Sequence, residues 1–449
     1  MPQTDSLIIK GLAGNKTLRG EVRIKGAKNA ILKAMAASVL FEEAVELKNV
    51  SNMADIESMS DLLVGLGATV EKGKDKFSID SSKLSSTDLD PDISRSMRSS
   101  IVATGPILAR YGKVSFPSPG GCVIGERPVD LFIDNYKKMG ASIVEKDGMF
   151  NITAPKGGLK GADIFFRVQT VTGTETLMMT AVLTKGTTTL RNCAMEPEIQ
   201  SVAEWLNDCG AKIEGAGTTT ITIKGAGPLK FKKPYHAIPD RIEAASFLFL
   251  GALCTEDLLI SKCEPKHVES VTNFLSNSGV PLEIGKDSIH IKGNGKLKNS
   301  SFKSSNIRTH EYPGFVTDLQ PIAAVFLSQV SGESIIFETI FEGRFKYTDD
   351  LVKLGANIKV MNPREIIVQG ESADSCLAKT SYKALPAGEE LTAHDIRAGF
   401  AIVLAALLAE GNSVVKNVHL IDRGYESLEN TLTSLGADVR RVHGEEVMD

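Results

Sequence analysis

The sequence predicts an α/β protein of two domains, each assembled from three copies of one unit, and three observations lead there. A tripeptide of the Leu-Gly-Ala type recurs six times, with its glycine at positions 67, 140, 210, 279, 355 and 436. Each glycine closes a segment with apolar residues three and four apart and is followed by short alternating stretches. Each of those helices is preceded by another that is small or apolar on nearly every side, which demands burial against several neighbours.

The unit reads helix, strand, helix, strand, strand. The fully apolar helices begin near Lys28, Arg98, Gly173, Asp240, Asp318 and Asp395, and include AILKAMAASVLF, TETLMMTAVLTK and IRAGFAIVLAALLAE. Short acidic openings, as at Pro239-Asp240 and Thr317-Asp318, suit helix N-termini, and Asp318 reads as an N-cap for LQPIAAVFL. The amphipathic helices are ADIESMSDLLVGLG, PVDLFIDNYKKMG, EPEIQSVAEWLNDCG, PKHVESVTNFLSNSG, RFKYTDDLVKLG and RGYESLENTLTSLG. A glycine just past each end suits the left-handed backbone that closes a helix. Hairpin strands follow, as in Phe77-Ser78-Ile79 and Thr220-Ile221-Thr222-Ile223. A linear solenoid would leave the apolar helices facing water, so two globular domains of three units fit better. The division between them falls around Tyr235 to Pro239.

Composition excludes several functions. The 449 residues carry 55 acidic and 51 basic side chains, a net charge of -4, which argues against a dedicated nucleic-acid binder. Aromatics make up 6% with one Trp, too few for a base-stacking platform. The longest apolar stretch, AGFAIVLAALLA, is shorter than the ~20 residues a membrane span needs. The opening MPQTDSLIIK lacks the apolar region of a secretory signal. The six cysteines form no CxxC pair and the seven histidines form no ligand cluster. Free thiols, a cytoplasmic setting, and no metal or organic cofactor are therefore expected.

A few residues stand out chemically. Cys122 sits among Gly120, Gly121 and Gly125, and Arg127 nearby would favour its thiolate. Lys28 and Arg397 open very apolar helices, where an unpaired charge is costly and a bound dianion would remove that cost.

The segment SPGGCVIGERPVD, ending at Asp130, resembles the UDP-N-acetylglucosamine 1-carboxyvinyltransferases, the enolpyruvyl transferases of peptidoglycan synthesis. The resemblance spans essentially the whole chain. It includes KGAKNA before Ile31, Arg98 in SMRSS, Glu196-Pro-Glu198, Pro239 to Glu243, Pro313 to Asp318, Phe341 to Phe345, Asp395-Ile-Arg397 and Ile421 to Glu426. It implies two inside-out α/β domains, each of three βαβαββ units. Residues 1-25 would join the second domain, 239-449, and residues 26-238 would form the first, with the active site between them.

The resemblance also implies chemistry. The enolpyruvyl group of phosphoenolpyruvate would pass to the 3′-hydroxyl of UDP-N-acetylglucosamine by addition and elimination, with loss of phosphate. Cys122 would add to phosphoenolpyruvate and supply the C3 proton. Asp318 would take the hydroxyl proton, and Asp395 would orient and shuttle. Lys28, Arg127 and Arg423 would hold phosphate. Arg397 would reach the carboxylate, with Arg344 in the same basic surround. UDP-sugar contacts would come from Asn29, Arg98, Arg127, Pro128, Val129, Asp130, Leu131, Thr170, Val171, Thr172, Gly173, Asp318 and Ile340. Fosfomycin would alkylate Cys122. At Val168 this chain lacks a lysine that some family members carry, and Arg167 would face the other way if the segment is a strand. The related 3-phosphoshikimate 1-carboxyvinyltransferases share fold and donor but lack the loop cysteine.

Overall fold

The computed structural model describes residues 5–117, 130–370, 382–386 and 388–444, the side chains of 130–132 excepted. The chain forms two compact units. One holds the residues through Ile24 and from Pro239 onward, and the other runs from Lys25 to Ile238. Each is an α/β layer structure turned inward, with helices at the centre and sheets outside.

In the unit from Pro239 onward, the central helices are Arg241–Cys254, Gln320–Gln329 and Ile396–Leu408. Every residue of the first two is buried, as is every residue of the third after Ile396. Phe247 meets Phe400 at 5.6 Å and Phe249 meets Phe326 at 5.8 Å, so aromatic edges join all three helices. Each such side chain contributes roughly 1.5–3 kcal/mol by leaving water. The other unit repeats the plan with Lys28–Ala37, Thr104–Tyr111 and Val171–Val182.

The openings of these helices differ from simple expectation. Arg98 heads a 3-10 stretch, Arg98–Ala103, and the α-helix begins only at Thr104. Pro106 lacks an N–H, and in the first α-turn none is required of it. The third helix starts at Val171 with Thr170 as its cap, two residues before Gly173.

The sheets share one order. In five of them a strand runs parallel to its neighbour, and in four of these an antiparallel hairpin completes the set. Examples are Leu18–Arg23 beside Thr255–Ser261 and Tyr235–His236 beside Val45–Lys48. The sheet containing Lys113–Pro117 has three strands among the described residues, and Asp88 bridges Ser115 in parallel where a fourth would lie. In the remaining sheet, Ser6–Lys10 inserts between Asn412–Lys416 and Val439–Val442. The start of the chain thus completes the last unit's sheet, a non-local pairing that no sequence period reveals. Lys16 fastens the same segment: its Nζ donates to Ala252 O at 2.7 Å and Asn294 Oδ1 at 2.8 Å.

All six amphipathic helices end as the glycines require. Gly67, Gly140, Gly210, Gly279, Gly355 and Gly436 have φ between 96° and 108°. The next residue's N–H reaches back five positions, as from Ala68 to Leu63 O and from Ala437 to Leu432 O. This double closure satisfies carbonyls that a plain helix end would leave open. Among the described residues, no helix is long and apolar enough to cross a membrane.

Candidate active site

Each unit gathers chemical groups at the N-terminal ends of its central helices. In the unit from Pro239 onward, Asp240 and Asp395 are helix caps. Asp240 Oδ1 accepts from the N–H of Ile242 and Glu243, and Asp395 Oδ1 from those of Arg397 at 2.7 Å and Ala398 at 2.9 Å. Asp395 therefore has only Oδ2 left for other chemistry.

Asp318 is not a cap, contrary to expectation. It lies in the 3-10 turn Thr317–Leu319, and the α-helix starts at Gln320 without a side-chain cap. Pro321 at the start of that helix already lacks an N–H, so fewer donors need capping. The carboxylate turns to two arginines instead. Arg344 Nη2 donates to Asp318 Oδ1 at 3.1 Å, and Arg397 Nε lies 3.5 Å from Oδ2. The arginine side chains are 2% and 5% exposed, while that of Asp318 is 33% exposed, so the carboxylate looks outward from a buried cationic base.

Both arginines are held firmly. Arg397 lies over the ring of Tyr425 at 5.3 Å, and the Tyr425 hydroxyl meets Ser246 Oγ at 2.8 Å. Burial alone would lower the pKa of Arg397, but Tyr425, Asp318 and Asp240 raise it above the usual arginine value. Arg344 behaves alike: burial opposes its charge, and Asp318, Asp395 and Glu338 outweigh that opposition. Among the described residues, Arg344 Nε and Arg397 Nη1 are nonetheless buried without a hydrogen-bond acceptor. Two unspent cationic donors beside an outward carboxylate suit an anionic ligand. Arg423 follows the short helix Val418–Asp422. A Cβ on Gly424 would come within 2.3 Å of Ile396 Cγ2 and 3.3 Å of Arg397 Nη1, so glycine lets the turn carrying Arg423 lie against Arg397.

Glu338 escaped the sequence reading. It is wholly buried and accepts from the N–H of Ile340 at 2.8 Å and of Phe341 at 3.0 Å. It thereby fixes the turn that carries Ile340 and leads to Arg344. Its signal was present: Ser334, Ile336 and Glu338 share the inward face of one strand and its extension.

In the unit from Lys25 to Ile238, Lys28 opens its helix but is not an unpaired charge. Its Nζ lies 2.9 Å from Asp55 Oδ2, with 8% and 5% of the two side chains exposed. The expectation that a bound dianion must supply its partner is corrected accordingly. Asp55 was missed, though it falls on the apolar stripe of Met59, Leu62 and Leu66, where a carboxylate needs a buried partner. Asn29 follows Lys28 at the helix start and is half-buried. Thr170 caps its helix through Gly173 N at 3.1 Å, and half-buried Val171 and Thr172 form the first turn. Residues 166–170 make a bend rather than a strand, and Arg167 and Val168 are both exposed, so the alternation argument does not apply there.

Cys122, Arg127, Pro128 and Val129 lie outside the described residues, and Asp130 and Leu131 are described only as the opening of the helix Asp130–Lys138. The cysteines that are described, Cys193, Cys209, Cys254 and Cys263, are free and buried. Burial pushes the thiols of Cys193 and Cys263 up to about 11 and that of Cys254 up to about 12, which leaves them protonated at neutral pH.

The sequence model of EPSP synthase (3-phosphoshikimate 1-carboxyvinyltransferase) matches residues 12–432. A UDP-N-acetylglucosamine 1-carboxyvinyltransferase of Desulforapulum autotrophicum is 42% identical over 431 residues, 96% of this chain and 99% of that protein. The enzyme of the same name from Campylobacter fetus subsp. fetus is 41% identical, over 96% of this chain and 98% of its own. Among solved structures, the enolpyruvyl transferase NikO from Streptomyces tendae superposes with a TM-score of 0.83 at 23% identity, over 99% of this chain and 100% of that one. An EPSP synthase from Acinetobacter baumannii gives 0.69 at 17% identity, over 98% and 100%. These two structures establish a shared fold.

Proposed function

The chain belongs to the UDP-N-acetylglucosamine 1-carboxyvinyltransferases, within the wider family that includes EPSP synthase, and from that premise we propose how its residues work. The reaction is transfer of the enolpyruvyl group of phosphoenolpyruvate to the 3′-hydroxyl of UDP-N-acetylglucosamine, the committing step of peptidoglycan synthesis. In the addition step, C3 of phosphoenolpyruvate gains a proton and the acceptor oxygen bonds to C2. In the elimination step, C3 loses a proton and the C2–O bond to phosphate breaks. The phosphorus–oxygen bonds stay intact.

The observation that carries the reading is Asp318, freed from capping and set between Arg344 and Arg397. A carboxylate so placed orients the hydroxyl and accepts its proton as the oxygen attacks. Phosphate and carboxylate groups of the donor compete for the same guanidiniums. Their arrival loosens the arginines' hold on Asp318 and raises its basicity when a base is needed. Arg397 takes the donor carboxylate. Lys28, Arg127 and Arg423 take the phosphate, and Arg344 completes the cationic surround. Asp395 relays a proton through Oδ2, since Oδ1 is spent on its cap. Cys122 supplies the C3 proton. Asn29, Arg98, the segment from Arg127 to Leu131, Thr170 to Gly173 and Ile340 hold the UDP-sugar.

No step here requires a metal or an organic cofactor. Unpaired thiols suit a reducing compartment, and the cytoplasm is the proposed location. The test is phosphate release with each substrate omitted in turn. Release that needs both phosphoenolpyruvate and UDP-N-acetylglucosamine, with a product heavier by one enolpyruvyl group, supports the reading. Release driven by 3-phosphoshikimate instead would overturn it.

A further inference from the structure

We propose that Glu338 is a positioning residue for the transfer reaction, acting on Asp318 through Thr317 and Arg344. The inference rests on the reading of Asp318 as the base. Glu338 Oε2 accepts from Thr317 Oγ1 at 2.8 Å. The same Thr317 oxygen accepts from Arg344 Nη1 at 2.8 Å. The other terminal nitrogen of that guanidinium, Nη2, donates to Asp318 Oδ1 at 3.1 Å. A hydroxyl has one proton to give, so donating to Glu338 turns the Thr317 lone pairs toward the arginine. The guanidinium is planar, so fixing Nη1 also fixes where Nη2 points.

The far side of Glu338 is equally committed. Oε1 accepts from Thr309 Oγ1 at 3.1 Å and from the backbone N–H of Ile340 and Phe341. Thr309 Oγ1 in turn accepts from Thr339 N at 2.8 Å. The carboxylate therefore cannot shift without breaking the turn behind it. Glu338 touches no reacting atom, and its contribution is the direction it imposes on the arginine that holds the base.

Glu338→Gln replaces an acceptor by an amide. An amide N–H facing Thr317 would claim the oxygen that now serves Arg344. The expected result is a fall in kcat of about tenfold or more, the equivalent of ~1.4 kcal/mol, with KM for UDP-N-acetylglucosamine changed far less. The acid limb of the kcat–pH profile should also move to higher pH, because a loosened arginine favours the ionised base less. Thr317→Val should reproduce both effects. Thr317→Ser, which keeps the hydroxyl, should lose much less rate than Thr317→Val. Combining Glu338→Gln with Thr317→Val should add little to either alone, as expected for one chain of contacts. A purely structural role would lower the unfolding midpoint of each variant without moving the acid limb. Asp318→Asn separates the two readings. If it is inactive while Glu338→Gln and Thr317→Val keep the wild-type rate and pH profile, the positioning role is wrong. If Asp318→Asn itself keeps full turnover, the base assignment is wrong.

Discussion

Lys28 Nζ lies 2.9 Å from Asp55 Oδ2, with both side chains buried in the unit from Lys25 to Ile238. The pair explains how an ammonium is tolerated at the head of a helix whose other residues, apart from Asn29, are buried. Removing the carboxylate takes a close counter-charge from a buried ammonium. Asp55→Ala should therefore cost on the order of 3 kcal/mol in chemical denaturation. If Lys28 also binds the donor's phosphate, added phosphoenolpyruvate should restore part of that loss. Unchanged stability in the variant would show the pair to be dispensable.

A second buried charge pair makes stability depend on pH. Glu175 lies 3.3 Å from Lys33, and both side chains are almost fully enclosed. Burial raises the Glu175 pKa to about 7, with Lys33 opposing the shift and Glu198 and Glu196 adding to it. A raised carboxyl pKa means that the folded protein binds more protons than the unfolded chain between about 4.5 and about 7. Its contribution is fully present below that window and is lost as pH rises through it. Glu175→Gln cannot titrate. The stability of this variant relative to wild type should therefore climb between pH 5 and 8, by on the order of 1–3 kcal/mol. A constant difference across those pH values would contradict the assignment.

Arg397→Ala should separate donor from acceptor. It removes a buried guanidinium whose Nη1 has no acceptor among the described residues, and charged hydrogen bonds are worth ~1.5–3 kcal/mol. Kinetics in phosphoenolpyruvate should suffer by at least about tenfold. Calorimetric binding of uridine diphosphate should change little. Equal losses for both ligands would point to a folding defect.

Fosfomycin offers a chemical map of the donor site. Its phosphonate resembles the donor phosphate that the proposed function assigns to Lys28, Arg127 and Arg423, and its epoxide is an electrophile for a thiolate. Peptide mass spectrometry should find one adduct, on Cys122, increased by UDP-N-acetylglucosamine. Cys122→Asp can still carry a proton and should keep turnover while resisting the inhibitor. An adduct on Cys193, Cys209, Cys254 or Cys263 with Cys122 untouched would contradict the placement of the reactive thiol.

What the sequence made legible was local. Six glycine-closed helices could be seen because the left-handed closing residue and the apolar stripe lie within a dozen positions of each other. The central helices showed through their uniform apolarity. The docking of Ser6–Lys10 between Asn412–Lys416 and Val439–Val442 has no local signal, since its partners lie more than four hundred residues away, and only the family resemblance assigns residues 1-25 to the second domain. At the site, the sequence reads Asp318 as a helix cap, and the 3-10 turn and Pro321 remove that capping role. Asp55 and Glu338 carried a readable signal, a carboxylate on an inward-facing position. Each has its partners on other segments, and inward polarity alone does not say which.

The central claim is that Asp318 takes the proton of the acceptor hydroxyl. The most direct measurement is steady-state turnover of Asp318→Asn at saturating phosphoenolpyruvate and UDP-N-acetylglucosamine, with UDP-N-acetylglucosamine affinity measured by calorimetry on the same preparation. An amide can still hydrogen-bond the sugar but cannot accept the proton. Turnover should fall by about 10²-fold or more while affinity changes by less than about threefold. Turnover near the wild-type value, with binding intact, would contradict the account.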